Sequence, residues 1–448
     1  MDPTTLEGFL PRLSQTLEEL ELLYFQFCLR CTADGVPESP NFFRDHTQYP
    51  AVRSLTIYRF DGPPLLDRLQ YLFPALDGTL HVMSDSQINP HAREAIRAAN
   101  RRAQGGSPSH AWKKLDRVVC GPGMLHTLAL RCPIRHVMLE QAHGDNDEKT
   151  LRYAAAADTL RENPVQRLKL TLACGRGMFD GIFTQELAGT LTHLTLCLVH
   201  DNFHTRTESD TAAATQPLWD FLLSAMIPAL QPLHNVTHLR VVIHCKLYRR
   251  PRPSLSGLDY ADSSISSSGS DSDSKKLTDA DAIPAPARDY SREFMDAIRG
   301  GPAFDFDHGT GTAASLARAL PSTQYVFLMT GGNVVDRVQA PQTWRSSERW
   351  SVSRGWRVAS LSAGPQAGNT HPSPNGGRDG DGDPPGPRAL VELQGDVADT
   401  IIKNEELSLS QTDEVSPCVR VLYPSAMVLA GALANDRTDA ENDCDNGG

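Results

Sequence analysis

Val165-Gln-Arg-Leu168-Lys-Leu170 and Leu191-Thr-His-Leu194-Thr-Leu196 share one pattern: apolar, two variable residues, apolar, one variable residue, apolar. The same template occurs at Leu17-x-x-Leu20-x-Leu22, Val52-x-x-Leu55-x-Ile57, Leu115-x-x-Val118-x-Cys120, Ile134-x-x-Val137-x-Leu139 and Val236-x-x-Leu239-x-Val241. A weaker copy is Thr323-x-x-Val326-x-Leu328, and Leu76 to Leu80-His81-Val82 carries one extra residue. The middle and last apolar positions are two residues apart, so both face one side of a short strand. The first tucks the incoming chain underneath. One such unit cannot bury its apolar face alone, but a stack can. The expected fold is therefore α/β: an irregular leucine-rich-repeat solenoid with a curved parallel sheet and outer helices, interrupted by disordered loops.

The spacing is uneven. Middle residues lie 19 to 87 residues apart, and the Asn or Cys that usually follows a leucine-rich strand is missing. A set of unrelated buried strands is the competing reading. Two features favour repeats. Pro50, Pro74, Pro133, Pro164 and Pro321 stand just before units, and segments with helical patterning fill most gaps. Those segments are 64–73, 90–104, 147–161, 179–188, 216–230, 289–299 and 312–320. In the first, Asp61 can cap the helix, and Pro63 and Pro64 suit its first turn. Asn89-Pro90 starts the second and Gly105-Gly106 stops it. Strand, helix and strand in alternation imply parallel pairing, with the strands on the concave side.

Composition narrows the function classes. The chain has 448 residues and a formal net charge of −11, unsuited to general nucleic-acid binding. It has no apolar run long enough to span a membrane and no signal-peptide pattern at its start. Nine cysteines are scattered, with Cys120, Cys174 and Cys197 in apolar strand contexts. Buried free thiols fit a cytoplasmic or nuclear location. Residues 250–289, 363–388 and 435–448 are rich in Ser, Gly, Pro, Asn or Asp and lack the apolar surface to offset ordering entropy. The organisation expected is a solenoid over 10–360 with a disordered insertion at 250–289, a linker at 363–388, a C-terminal extension at 389–430 and an acidic tail at 435–448. Serines beside Asp271 and Asp273 suit phosphorylation; a solvated linker is the plainer reading.

Motifs for chemistry are incomplete. Asp379-Gly-Asp381-Gly-Asp383 begins like a calcium loop but has Pro384 where Gly is needed and Leu390 where Glu is needed. Gly309-Thr-Gly311-Thr-Ala-Ala314 has the spacing of a dinucleotide loop, but the preceding strand is weak; a helix start is simpler. Cys28-x-x-Cys31 lacks a second pair, and the histidines show no converging set. No catalytic residue, metal ligand or cofactor is assigned.

The C-terminal run Leu316-Ala-Arg-Ala-Leu-Pro-Ser-Thr-Gln-Tyr-Val-Phe-Leu-Met-Thr-Gly-Gly is followed by Glu348-Arg-Trp350-Ser-Val-Ser-Arg-Gly-Trp356-Arg-Val358. With Pro-Ala-Val-Arg-Ser-Leu-Thr-Ile and Pro-Ala-Leu earlier, these resemble the fungal F-box proteins with irregular leucine-rich repeats found in mushroom-forming fungi. The resemblance spans roughly residues 10–360. It implies a non-enzymatic module whose repeats select a substrate, while an F-box docks the Skp adaptor of a cullin ubiquitin ligase. This sequence opens on a repeat, Leu13 to Leu22, without such an F-box. A truncated start, a repeat-only relative and a degenerate relative all remain open, as does an α/β enzyme with its loop at the strand ends.

One surface feature is specific. The positions flanking the apolar pair hold Arg117, His136, Arg167, Lys169, His193, His238 and Arg240, with Glu19, Glu21 and Glu140 as acidic exceptions. Stacked at roughly 4.8 Å per strand, these side chains would form a basic stripe on the exposed sheet face, a steering surface for an acidic partner protein. A solvated face with no ligand is the alternative. On either view, charge reversal there should cost little stability.

Overall fold

The template residues set the register of the sheet. Leu20, Leu55, Leu80, Val118, Val137, Leu168, Leu194, Leu239 and Val326 pair in succession across neighbouring strands. They form one continuous row of middle positions. Every one is buried, and all belong to a single apolar core. The computed structural model describes residues 12–23, 46–83, 90–106, 111–140, 146–175, 177–201, 218–249, 311–338, 343–360 and 388–408, with a few further positions before residue 39.

In chain order the strands are β1 (Glu19–Leu22), β2 (Phe25–Gln26), β3 (Arg30–Cys31), β4 (Pro37–Glu38), β5 (Ser54–Ile57), β6 (Phe60–Asp61), β7 (Thr79–Val82), β8 (Leu115–Cys120), β9 (Ile134–Leu139) and β10 (Arg167–Ala173). They continue with β11 (His193–Asp201), β12 (His238–Arg249), β13 (Tyr325–Val338), β14 (Thr343–Ser360) and β15 (Arg388–Glu392). Eight helices are described: α1 (Leu66–Leu72), α2 (Pro90–Gly106), α3 (Pro122–Leu128), α4 (Asn146–Glu162), α5 (Gln185–Thr190), α6 (Leu218–Leu230), α7 (Thr312–Ala319) and α8 (Gly395–Asn404). The main sheet has 11 strands in the order β1-β5-β7-β8-β9-β10-β11-β12-β13-β14-β15. It is parallel through β13, and β14 and β15 then pair antiparallel. The small pairs β2–β6 and β3–β4 lie apart.

Strand order never reverses, so each connection advances the sheet by one strand. β12 and β13 are hydrogen-bonded neighbours from His238↔Tyr325 to Arg249↔Asp336, although 75 positions separate Arg249 from Gln324 in the numbering. The row of last template positions, Leu22 through Leu328, is buried beside the middle row. So are all the first positions except Leu17, which packs partly buried against the same core. Leu69 of α1, Leu125 of α3, Leu160 of α4, Leu187 of α5, Met226 of α6 and Leu316 of α7 complete this core from the helix side. Trp356 of β14 pairs with Val326 and closes the apolar row at the last strands.

Helix ends are tied by side chains from neighbouring elements. The Leu66 N–H at the start of α1 donates to Asn100 Oδ1 of α2 at 2.8 Å. Asn100 Nδ2 donates to the Pro64 and Thr127 carbonyls, both at 2.9 Å. This buried amide therefore has its bonds made on both atoms and joins α1, α2 and α3. Asp61, expected as the α1 cap, lies instead in β6 opposite Gln26; Leu65 holds the cap position without a side-chain bond. At the far end, Arg388 of β15 donates to the Ala317, Leu320 and Thr323 carbonyls, placing a cation at the α7 C-terminus.

Six helical expectations fall on described residues. Five match closely; in 179–188 only the last residues are helical, because Phe179 to Ile182 form turns and α5 starts after the Thr184 cap. The expected helix at 289–299 lies outside the described residues, as do 250–289, 435–448 and all of 363–388 except Arg388. Gly311 is the N-cap of α7, so Gly311-Thr312 supplies a helix start. No described helix is long and apolar enough to cross a membrane.

Candidate functional site: a basic sheet face

The parity that sends leucines to the core sends their neighbours to the other face. One row there reads Glu19, Ser54, Thr79, Arg117, His136, Arg167, His193, His238, Tyr325, Arg357 across the sheet. The next row reads Thr56, His81, Val119, Met138, Lys169, Thr195, Arg240, Phe327, Gly355. All seven predicted stripe residues are in these two rows, five of them in the first.

The rows differ from expectation in being covered. His136, Lys169 and Arg240 are buried, with Lys169 only 1% exposed. A fully solvated stripe is therefore not what the chain builds. Part of the cover comes from α8, which follows edge strand β15 after two residues, and from the segment after it. Its inner side, Ala398 and Ile402, packs with Leu407 on Phe327 of the second row, in a cluster separate from the main core. Gly355 allows this approach. A Cβ on it would stand 2.8 Å from a Phe327 ring carbon and 3.1 Å from the Ala398 Cβ.

Beyond α8, Glu405-Glu406-Leu407 lies along the basic rows. Arg167 donates to the Glu405 backbone carbonyl and, at 3.2 Å, to its carboxylate. His193 Nε2–H donates to the same carboxylate oxygen at 3.0 Å. Glu406 accepts from Arg117 at 3.2 Å and from both terminal nitrogens of Arg135 at 2.6 and 3.0 Å. Arg135 is fixed from its other side by Asp116. The Leu407 carbonyl accepts from Arg240 at 2.8 Å and from Thr195 at 3.4 Å. Six residues on five adjacent strands thus hold three consecutive residues.

The rings of the first row are set by their neighbours. The Thr192 and Thr237 hydroxyls stand 2.8 and 2.9 Å from Nδ1 of His193 and His238. The two imidazoles stack with centroids 4.4 Å apart, and Tyr325 stacks next at 5.0 Å from His238. Burial, then the adjacent Arg117, holds the His136 pKa down to about 3. Burial and then His193 hold His238 at about 4. Burial and Arg167 also lower His193, against the opposing pull of Glu405. These rings are neutral near pH 7. Glu406 is held below the usual carboxylate range, first by its hydrogen bond to Arg135. Glu405 is lowered too: burial pushes it up, but the His193 hydrogen bond and the nearby positive groups outweigh that.

The expectation that the histidines do not converge is corrected here. His193, His238 and Glu405 bring three potential ligand atoms within 4.8 Å of one another. The donor set fits an ion pair rather than a metal. The Glu405 carboxylate is already engaged by Arg167, whose charge opposes a cation. The imidazoles of His193 and His238 lie stacked, 5° from parallel, with His193 already bonded to that carboxylate.

Sequence reasoning missed Arg135, Glu405, Glu406 and Leu407. Arg135 occupies the template position just before the strand alternation is regular, and nothing in the local pattern aims it at residue 406. Cys120, Cys132, Cys174 and Cys197 are free; burial raises Cys132 and Cys197 to about 11, Cys174 to about 12, and Cys120 further. They stay as thiols near neutral pH and are not activated nucleophiles. Compared with protein-family models, with curated proteins and with solved structures, the chain matches none.

Proposed function

We propose that this chain is a non-catalytic protein-binding module, a leucine-rich-repeat-like solenoid that takes an acidic segment of a partner on its basic sheet face. The substrate-recognition repeats of F-box proteins are the nearest analogy; a Skp-adaptor contact rests on that resemblance alone. The observation that carries the reading is the alignment of Arg117, Arg135, Arg167, His193 and Arg240 on the adjacent strands β8 to β12, bonded to a carboxylate-bearing segment. Such a surface recognises extended acidic chain by charge and by backbone carbonyls together. The unreversed strand order also supports binding over catalysis. An α/β enzyme of the doubly wound type binds its ligand where strand order reverses, and the described sheet has no such point. The buried free thiols suit a cytoplasmic or nuclear setting.

The test is retention of partners by the immobilised full chain. Lys169 and Arg240 are buried, so reversing them would cost stability, contrary to the expectation from sequence. The test therefore uses the more exposed pair: retained proteins should be released by added salt and lost with the double change Arg117→Glu, Arg167→Glu. Partners indifferent to both would place the binding surface elsewhere.

A further inference from the structure

The segment Glu405-Glu406-Leu407 breaks two local rules. Glu406 has φ +53°, the left-handed region that costs a non-glycine residue about 1 kcal/mol. The reason is its place in the helix stop. The Leu407 N–H bonds back to the Ile402 carbonyl and the Glu406 N–H to the Lys403 carbonyl, at 2.9 and 3.2 Å. That is a Schellman ending, whose left-handed position is usually Gly. Two anions also stand at the helix C-terminus, the end where the macrodipole disfavours them. Gly in place of Glu406 would relieve the strain and remove one of the two anions. The carboxylates are there because Arg117, Arg135, Arg167 and His193 receive them. Strain kept in place by specific partners marks a functional contact.

The cover is also thin. Among the described residues, α8 packs on the sheet through Ala398, Ile401 and Ile402, around Phe327 and Gly355 and outside the main core. Most of what holds Glu405 to Leu407 is therefore ionic and polar, and it can be exchanged for the same chemistry supplied by another chain.

We infer that Glu405-Glu406-Leu407 is a cis-bound occupant of the partner site, so that the face takes a segment of another protein bearing two adjacent carboxylates followed by a large aliphatic residue, and α8 must leave for it to bind. This rests on the binding-module reading above. The tether from β15 is two residues long, which gives the cis segment a high effective concentration. A trans ligand therefore competes poorly until α8 is released.

The experiment uses the full chain and a fluorescein-labelled peptide of residues 394–408, read by anisotropy. The double variant Glu405→Lys, Glu406→Lys drives its own segment off the face. It should bind the peptide at least about tenfold more tightly than the unaltered chain does. A peptide carrying Gln at positions 405 and 406 should lose most of that binding. The isosteric variant Glu405→Gln, Glu406→Gln serves in the same assay if the Lys pair does not fold. The inference is overturned if the folded variants bind no better than the unaltered chain, or bind acidic and neutral peptides alike. A partner retained in the pull-down without peptide binding would remove this inference and leave the module reading. Peptide binding with no charge-sensitive partner would do the opposite.

Discussion

Glu406 is the position where local preference and tertiary contact disagree most, and its substitutions separate the two. Glu406→Ala removes the carboxylate and keeps the left-handed φ of +53°. Glu406→Gly removes the carboxylate and the strain together. The Gly variant should be more stable than the Ala variant by about 1 kcal/mol, read from denaturant unfolding of the two. Equal stabilities would mean that this residue is not left-handed in solution. The same residue marks a limit of sequence reading. Leu194 and Leu239 were legible as core because strand parity is a local signal. Glu406 was not, because its partners Arg117 and Arg135 lie 289 and 271 positions away. Arg167, Lys169, His193 and Arg240 were legible as one face, but their burial was not, since Glu405 and Leu407, which lie on Arg167, His193 and Arg240, come from more than 160 positions later.

At the scale of elements, α8 and the strand face form the unit that moves or stays. Gly355 on β14 is opposite Phe327, and the absent Cβ is what lets Ala398 settle there. Gly355→Val should lift α8 while leaving every charged partner in place. Amide exchange of residues 395–404 should then quicken by more than about tenfold, with that of β10 and β11 unchanged. Unchanged exchange in α8 would show that the helix does not press on this spot. Acid should loosen the same unit. His136, His193 and His238 have folded pKa values below the ordinary 6.5, so they favour the neutral, covered state. The stability they contribute is present above about pH 6.5 and is lost as pH falls toward their folded values of about 3 for His136 and about 4 for His238. Glu405 and Glu406, also lowered, add a loss of the same sign below about pH 4.5. The Tm should therefore fall between pH 7 and 5, less steeply in His136→Gln. A Tm that rises over that interval would mean the histidines act as charged partners of the glutamates. The helices and parallel strands of this unit differ in legibility for a physical reason. α2 and α4 are 17 residues long and rich in helix formers; α3, seven residues long, offers only Pro122 in its first turn, and α8, ten residues long, has no side-chain cap, so both depend on packing. The antiparallel β14 and β15 follow the last template copy, where the repeat pattern has no more to say.

Among the described residues, the molecule is a mostly parallel sheet with strands in chain order, whose apolar rows build one core and whose other face receives α8. The first part of that description follows from nine copies of one template, because a shared register needs only local alternation repeated. The second part joins β8, β9 and β10 to residues more than 200 positions later, a connection that no short pattern encodes. The most direct measurement is a double-mutant cycle between Arg135 and Glu406, which are 2.6 Å apart at the closest and 271 positions apart in sequence. Arg135→Ala, Glu406→Ala and the double change are compared with the unaltered chain by denaturant unfolding. Both side chains are about a third exposed, so screening limits the pair, but its two parallel bonds are specific. The account predicts a coupling of about 1 kcal/mol. Strictly additive changes, with a coupling below about 0.3 kcal/mol, would contradict it by showing that the C-terminal segment does not rest on the basic face.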